Sequence, residues 1–364
     1  SGFIPMFLVE TNNRISNFSL VIPMLLLMFY CSLKLENKFY LWGFIALSFL
    51  LPLISPWSLI FVLGMFAYLF LLGGGFLTAS KIKKEVILFS SFLIILINLV
   101  IYKKALLEYG VSLIWQNTPA NILFDSFRSF NPIELIIGLG VLPLVLGGYG
   151  VYLGITKYKT KTTYLFGGFM LSILVLLVFR LITLMTGLLF LGITLSIFSA
   201  LGIKEVLQFI SKTKISKLFW AFTTVLVILV VSFSILPSYS SLKLNKINDA
   251  LINDMKWANE NLDSDSVVLG NVYEGEFISG ITKRKNVADI NFLLAPKPIE
   301  RLNDINFIYS TWSEAKALEL LTKYNIKAIY FSEQTKFLYN LEELKYTENN
   351  DCFYKEGDFY VVKC

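Results

Sequence analysis

The sequence predicts a multi-pass α-helical membrane bundle of about eight spans, followed by a small α/β extracytoplasmic domain. Of the 364 residues, 55% are hydrophobic and only 16% are charged, and the mean hydropathy of +0.65 is too high for an ordinary soluble protein. Near Lys246 the long apolar runs give way to polar sequence with mixed helix and strand patterns. We therefore expect a transmembrane helical domain over residues 1–240 and an extracytoplasmic α/β domain over residues 241–364.

The bundle is predicted from apolar runs long enough to cross a hydrocarbon core of about 30 Å. The run over residues 164–203 is interrupted only by Arg180, and as one helix it would be roughly twice as long as the bilayer is thick, so we expect the chain to fold back there. Pro52 and Pro56 predict another tight return. The predicted spans lie near residues 18–33, 39–54, 57–72, 86–102, 133–155, 164–179, 181–203 and 218–236.

The lysines predict the orientation of the bundle, because cytoplasmic loops of membrane proteins are enriched in basic residues. They are concentrated in alternate loops, at Lys34, Lys38, Lys81, Lys83, Lys84, Lys157, Lys159, Lys161, Lys204, Lys212, Lys214 and Lys217. This pattern places the loop 103–131 and the tail outside a cell membrane. The net charge of +6 is thus read as a topology signal, and no nucleic-acid partner is predicted. The first residues resemble neither a signal peptide nor a natural start, so we expect the chain to be the later part of a longer membrane protein.

The residue types present limit the chemistry. Histidine is absent, which excludes Ser-His-Asp hydrolysis, histidine general bases and histidine metal sites. The three cysteines, Cys31, Cys352 and Cys364, have no zinc or dithiol spacing. Pairing of Cys352 with Cys364 stays open, because a turn at Glu356-Gly357 would not place them opposite each other. Catalysis would depend on carboxylates, Lys, Arg, Tyr or amides.

The tail alternates helix and strand patterns, which indicates a small α/β layer. Residues 245–261 have apolar residues at helical spacing, and Val267–Leu269 is strand-like. Ser313 caps a second predicted helix, residues 326–331 predict a strand, and the final CFYKEGDFYVVK predicts a hairpin.

Residues 255–294 read MKWANENLDSDSVVLGNVYEGEFISGITKRKNVADINFLL. This run resembles the segment after the last transmembrane helix of the oligosaccharyltransferase catalytic subunit, a type C glycosyltransferase. In that family a helix, a polar turn, a strand, a W-W-D-Y-G motif, a short helix, a basic residue and a V-D-N-like stretch follow in this order. The motif positions here are Asn271, Val272, Tyr273, Glu274 and Gly275, so the motif is degenerate and only its glycine is retained. The resemblance implies that Asn271, Tyr273, Glu274 and Gly275 bind the acceptor.

The run FRLITLMTGLLFLGITLSIFSALG is similar to a late span of the same family, which opens with an arginine that contacts the phosphate of the lipid-linked donor. Arg180 is the matching residue, and the resemblance extends the role to Arg128. An arginine at the depth of the lipid headgroups is always charged, and its guanidinium can form two parallel hydrogen bonds with a phosphate group. The alternative is that Arg180 extends to the interface or fixes a helix turn.

The family also implies a catalytic Mn²⁺ or Mg²⁺ held by acids on the outer face. The corresponding catalytic candidates are Glu10, Asp125 and Glu134, with Glu10 and Asp125 as metal ligands. One acid of the family set would lie upstream of Ser1. Each candidate has a simpler reading as a solvated or interfacial charge.

The resemblance implies transfer of a sugar or oligosaccharide from a polyprenyl-phosphate-linked donor to a protein or glycan acceptor outside the membrane. The alternative is a non-catalytic scaffold or degenerate relative whose outer domain binds a partner. A transporter ranks third, since the predicted spans hold no buried Asp, Glu or Lys and only Asn98 among amides. The basic run Lys283-Arg284-Lys285 could touch lipid headgroups, but we read it as a solvated surface.

Overall fold

The computed structural model describes residues 5–11, 17–74, 80–110, 118–128, 131–212, 220–221, 223–225, 227–229, 232, 249–347 and 352–364. The chain divides into two compact units. We call them the helical unit, residues 1–116 with 120–246, and the sheet unit, residues 117–119 with 247–364.

The described part of the helical unit is a series of helices. In chain order these are α1 (Pro5–Thr11), α2 (Phe18–Leu33), α3 (Lys38–Ile54), α4 (Ser58–Gly74), α5 (Lys81–Ile101), α6 (Lys103–Tyr109), α7 (Ala120–Arg128), α8 (Pro132–Leu139), α9 (Val141–Leu153), α10 (Lys161–Val178) and α11 (Leu184–Ser211). Polar residues set several starts: Asn37 Oδ1 accepts the Phe39 N–H at 2.9 Å, and Thr160 Oγ1 accepts the Thr163 N–H at 3.2 Å. Such side chains satisfy N–H groups that have no partner within a helix.

Helices α5, α10 and α11 are long and apolar enough to cross a membrane, whereas α2, α3 and α4 are apolar but shorter. The count of about eight spans therefore stays a prediction. Two predicted boundaries can be compared with the structure. A new helix begins after Arg180, as expected. The run 133–155 is not one helix, because Gly140 at φ +83° ends α8 and α9 begins at the next residue.

Close approach of backbones characterises the interior of the helical unit. A Cβ added to Gly147 or Gly150 of α9 would lie 2.4 Å from Leu195 O or 2.0 Å from Phe198 O of α11. Helices α2, α4, α10 and α11 contribute a buried aromatic cluster of Phe29, Phe61, Phe166, Phe169 and Phe190. In lipid the hydrophobic effect does not drive helices together. Small residues at such crossings favour association there because they let the helix backbones approach closely.

The sheet unit contains α12 (Asp249–Asn261), β1 (Val267–Leu269), α13 (Gly275–Phe277), β2 (Lys285–Asn286), α14 (Pro298–Ser310), α15 (Glu314–Lys323), β3 (Ile326–Tyr330), α16 (Glu333–Tyr339), β4 (Phe353–Glu356) and β5 (Phe359–Val362). The strand order is β2-β1-β3-β5-β4. Strands β2, β1 and β3 are parallel, and β5 is antiparallel to β3 and β4. The predicted small layer of mixed helix and strand is confirmed.

Alternation along the strands places buried side chains on both faces of this sheet. Val268 and Ala328 pack on one face with Met255 of α12, while Leu269 and Ile329 pack on the other. The second face is covered by residues of α14 and α15, including Ile305, Ile308, Ala317 and Leu321. Both faces are therefore covered, as parallel strands require.

The last hairpin corrects an expectation about the cysteines. The turn residues are Gly357, at φ +58°, and Asp358, since Glu356 pairs with Phe359. The turn therefore lies one residue later than Glu356-Gly357, and Cys352 O accepts the Lys363 N–H at 2.8 Å. Cys364 follows directly, and it forms a disulfide with Cys352 across a Cα–Cα distance of 5.1 Å. Cys31 is buried and free.

Candidate functional site

The degenerate motif forms a tight turn at the carboxyl end of β1. Asn271 is fully buried, and its Oδ1 accepts the N–H groups of Tyr273 at 2.9 Å and Glu274 at 3.2 Å. Its Nδ2 donates to Thr335 Oγ1 at 2.8 Å. Asparagine is well suited to this position because its short side chain mimics a backbone turn. Asn271 therefore fixes both the shape of the turn and its attachment to α16.

Glu274 is the buried centre of this turn, with 1% of its surface exposed. Its carboxylate accepts hydrogen bonds from the hydroxyls of Ser332 and Thr335. These two residues follow β3 at the start of α16, where Ser332 Oγ accepts the Thr335 N–H at 3.0 Å. Since β1 and β3 are adjacent parallel strands, their carboxyl ends meet, and Glu274 joins them.

Burial raises the pKa of Glu274 to about 6, because removal from water penalises the charged form, while the hydrogen bonds from Ser332 and Thr335 act in the opposite direction. The carboxyl group can thus gain or lose a proton near neutral pH. Its oxygens are turned to internal hydroxyls, so its direct effect is on the shape of the turn.

The other two residues of the predicted acceptor set, Tyr273 and Gly275, differ in their exposure to solvent. Tyr273 is 47% exposed. Gly275 is buried, and a Cβ there would lie 2.5 Å from Ala288 O and 2.6 Å from Asn286 Nδ2. Its carbonyl accepts the Asn286 Nδ2–H at 2.7 Å. The predicted set is therefore assembled in one turn, in which Tyr273 alone of the four offers an exposed side chain.

Arg180 lies in the turn between α10 and α11, in the left-handed region at φ +52°. Its guanidinium carbon is 5.8 Å from the ring centre of Phe124 and 5.7 Å from that of Phe127. Both rings belong to α7, the helix that ends at the exposed Arg128. The structure thus brings together the two segments that carry the predicted phosphate ligands, although they are far apart in sequence.

Sequence reasoning missed Phe124 and Phe127. The signal was present in the segment LFDSFR, where two aromatic residues precede Arg128 at helical spacing. Nothing local indicated that their rings would meet a different arginine. Aromatic faces attract cations and restrict the guanidinium without neutralising its charge.

The side chains of Glu10, Asp125 and Glu134 lie outside the described residues, although their backbones belong to α1, α7 and α8. Over the described part of the chain, no group of three or more cysteine, aspartate or glutamate residues is placed to hold a metal ion. The described residues therefore show no cluster of three acids for Mn²⁺ or Mg²⁺, and the roles of Glu10 and Asp125 as metal ligands stay a prediction.

No protein-family model matches the chain, and no curated protein matches its sequence. Among solved structures it is similar to an Archaeoglobus fulgidus oligosaccharyltransferase tethered to an acceptor peptide with an NVT sequon, at 14% identity and TM-score 0.42, over 86% of this chain and 44% of that one. The oligosaccharyltransferase AglB from Archaeoglobus fulgidus, in complex with an inhibitory peptide and a dolichol-phosphate, matches at 12% identity and TM-score 0.43, over 86% of this chain and 45% of that one. A complex of the first enzyme with Zn and sulfate matches at 15% identity and TM-score 0.38, over 86% and 42%.

The chain thus spans less than half the length of these structures. All three TM-scores are below 0.5, so we base no functional argument on this likeness.

Proposed function

We propose that the chain belongs to a membrane glycosyltransferase of type C, which transfers a sugar or oligosaccharide from a polyprenyl-phosphate-linked donor to a protein or glycan acceptor. The observation that carries the proposal is the position of Arg180, in the turn between two membrane-length apolar helices and against two rings of the helix that ends at Arg128. In the proposed topology of about eight spans, this turn and the sheet unit lie outside the cell membrane.

The chemistry requires a positive group at the donor phosphate. The bond between the anomeric carbon and the phosphate oxygen breaks, and its electron pair stays on that oxygen. The acceptor atom bonds to the anomeric carbon and releases a proton. Arg180, assisted by Arg128, would offset the charge that develops on the leaving phosphate, and the planar fork of a guanidinium suits two phosphate oxygens.

The turn around Tyr273 would contact the acceptor. Its exposed ring supplies the contact surface, and Asn271, Glu274 and Gly275 act by holding the turn in shape. Glu10, Asp125 and Glu134 remain the proposed catalytic acids, with Glu10 and Asp125 as ligands for Mn²⁺ or Mg²⁺. A divalent ion held there would polarise the acceptor or offset phosphate charge.

The test is binding of undecaprenyl phosphate to the full chain in lipid nanodiscs. We expect Arg180→Ala to weaken binding by about tenfold, which corresponds to about 1.4 kcal/mol, and Arg180→Lys to weaken it less because charge is kept but the fork is lost. The exposed Lys103→Ala is the matched control. Equal affinity of the wild type and Arg180→Ala would show that Arg180 does not hold the phosphate.

A second candidate is a non-catalytic membrane scaffold. It is favoured by the burial of Asn271 and Glu274, whose polar atoms are engaged inside the sheet unit. A transfer assay distinguishes the two, with a labelled lipid-linked glycan and an acceptor supplied to the full-length protein. If the wild type forms a labelled product and Arg180→Ala does not, the protein is an enzyme. If the wild type binds the lipid-linked donor but leaves it unaltered, the scaffold is supported.

A further inference from the structure

A cavity of about 490 Å³ in the sheet unit is lined by three cationic side chains, by neutral polar and aromatic side chains, and by Val267 and Val287. Its cations are Arg284, Lys285 and Arg301, and Asn286 and Tyr324 also line it. No aspartate or glutamate is among the lining residues. The cavity shares Ser279 and Asn286 with the contacts of the motif turn, since both side chains donate hydrogen bonds to Gly275 O.

Arg284 is oriented by backbone carbonyl groups. Its Nη2 donates to Asn259 O at 2.8 Å and to Leu262 O at 2.7 Å, and its Nη1 donates to Thr282 O at 3.3 Å. Its Nε is buried and has no hydrogen-bond partner. The carbonyl groups at the end of α12 fix the direction of this guanidinium and interact favourably with a cation, but they carry no full negative charge to neutralise it.

Arg301 is held in a similar way. Its Nη1 donates to Val287 O at 2.6 Å, and its guanidinium carbon lies 5.6 Å from the centre of the Tyr324 ring. The neighbouring acids are engaged elsewhere: Glu300 contacts Lys297 and Lys323, and Asp304 contacts Lys323 and the Tyr324 hydroxyl.

Within the described sequence, neither arginine has a carboxylate within 4.0 Å. Lys285 has only the exposed Asp265 at 3.9 Å, an arrangement of little energetic value. Two oriented guanidinium groups and one ammonium group thus belong to residues that line a cavity with no acid in its lining. Such groups form strong charge-assisted hydrogen bonds with phosphate oxygens.

The geometry points to this cavity as a binding site for a phosphate group, built by Arg284, Lys285 and Arg301. The volume exceeds that of a phosphate ion, so the site has room for an attached group such as a sugar or glycerol. Asn286 and Tyr324 provide polar and aromatic surface for that group. The site is additional to the proposed phosphate contact of Arg180 and does not depend on it.

The test measures binding of inorganic phosphate and of glucose 1-phosphate to the full chain in detergent by titration calorimetry. All proteins carry Arg180→Ala, so that phosphate bound at that residue does not contribute. We expect Arg301→Gln to weaken binding by about tenfold and Lys285→Gln, at an exposed position, by about threefold. Lys316→Gln on α15 should bind as the parent does, because it is exposed and lies outside the cavity.

Thermal unfolding without phosphate shows whether each variant is folded, and Lys285→Gln keeps the test valid if Arg301→Gln is unstable. Vesicles of phosphatidylcholine with or without phosphatidic acid identify the source of the phosphate. If the Lys285→Gln and Arg301→Gln variants bind glucose 1-phosphate more weakly, the ligand is a soluble phosphate ester. If they bind phosphatidic acid vesicles more weakly, the ligand is a lipid headgroup. Either result supports the site. Unchanged phosphate affinity in both variants, or acetate bound as tightly as phosphate, would overturn it.

Discussion

The interiors of the two units are stabilised by different kinds of contact. In the helical unit, glycines bring helix backbones into direct contact, as where Gly150 meets Phe198 O and Gly202 meets Leu146 O. In the sheet unit, buried polar side chains connect elements that are distant in sequence. Glu274 binds hydroxyls on α16, and the Tyr309 hydroxyl donates to Tyr330 O at 2.9 Å.

This difference agrees with the proposed surroundings of the two units, lipid for the helical unit and water for the sheet unit. Lipid tails are as apolar as the helix surfaces, so helices associate through close packing and a few hydrogen bonds. A domain in water gains stability from burial of apolar surface, and polar networks in its core fix which elements meet. We therefore expect steric changes to dominate in the helical unit and changes to buried polar groups to matter more in the sheet unit.

The largest effect is expected for Gly150→Ala. The added methyl group would lie 2.0 Å from Phe198 O, which is backbone and can move only if α9 and α11 separate. Overpacking of this kind costs about 3 kcal/mol. The measurement is labelling of the buried Cys31 thiol during heating in detergent, which reports opening of the helical unit.

Gly148→Ala is the matched control on the same helix, because nothing lies within 4 Å of its added Cβ. It should melt as the wild type does. Equal melting of Gly150→Ala and Gly148→Ala would contradict the view that backbone contact determines the packing of this unit.

An intermediate effect is expected from the ionisation of Glu274. Its pKa of about 6 in the folded protein is above the ordinary value of 4.5, so the folded state binds the proton more tightly. The contribution of Glu274 to the free energy of unfolding is then greatest below pH 4.5. It falls by about 2 kcal/mol in all as the pH rises through 6. In Glu274→Gln this part of the pH dependence should disappear.

Hydrogen exchange of the β3 amides, corrected for intrinsic rates, reports opening of the sheet unit and checks this result. The exposed Glu319→Gln serves as the control and should keep the wild-type pH dependence. If Glu274→Gln retained the full fall in stability between pH 4.5 and 6, another group would be responsible for it.

The smallest effects compare one buried hydrogen bond in each unit. Ser58→Ala removes the contact from Asn98 Nδ2, 2.9 Å long, between α4 and α5, and an interhelical bond of this type contributes about 0.6 kcal/mol. Tyr309→Phe removes the bond to Tyr330 O in the sheet unit, with an expected loss of about 1 kcal/mol. Cys31 labelling and β3 exchange measure the two losses. A larger loss for Ser58→Ala than for Tyr309→Phe would reverse the proposed contrast between the units.

Local sequence patterns predicted much of the fold. Apolar runs located α2 to α5, α10 and α11, and alternation located β1, β3 and the last hairpin. These features depend on neighbouring residues, which is why periodicity reveals them. The break at Gly140 and the turn at Gly357-Asp358 were missed, because a glycine can continue an apolar helix or leave it, and a hairpin turn can shift by one residue without changing its composition.

The candidate site was predictable only in part. The order of elements located the turn from Asn271 to Gly275, but not the burial of Glu274 or its hydroxyl partners. The proposed roles of Arg180 and Arg128 came from resemblance and charge, whereas the contact of Arg180 with Phe124 and Phe127, on the helix that ends at Arg128, required the packed helices. In the basic run at residues 283–285, read as a solvated surface, Lys283 and Lys285 are exposed, but Arg284 and Lys285 also line a cavity with Arg301.

By itself, the sequence determined that this chain has an apolar helical part and a polar mixed part, since composition and periodicity act over a few residues. The tertiary structure decided which groups meet: Glu274 with Ser332 across 58 positions, Arg284 with the end of α12, and Cys352 with Cys364. The physical reason is that such contacts depend on how whole helices and strands pack, and that packing is set by the summed burial and fit of many side chains.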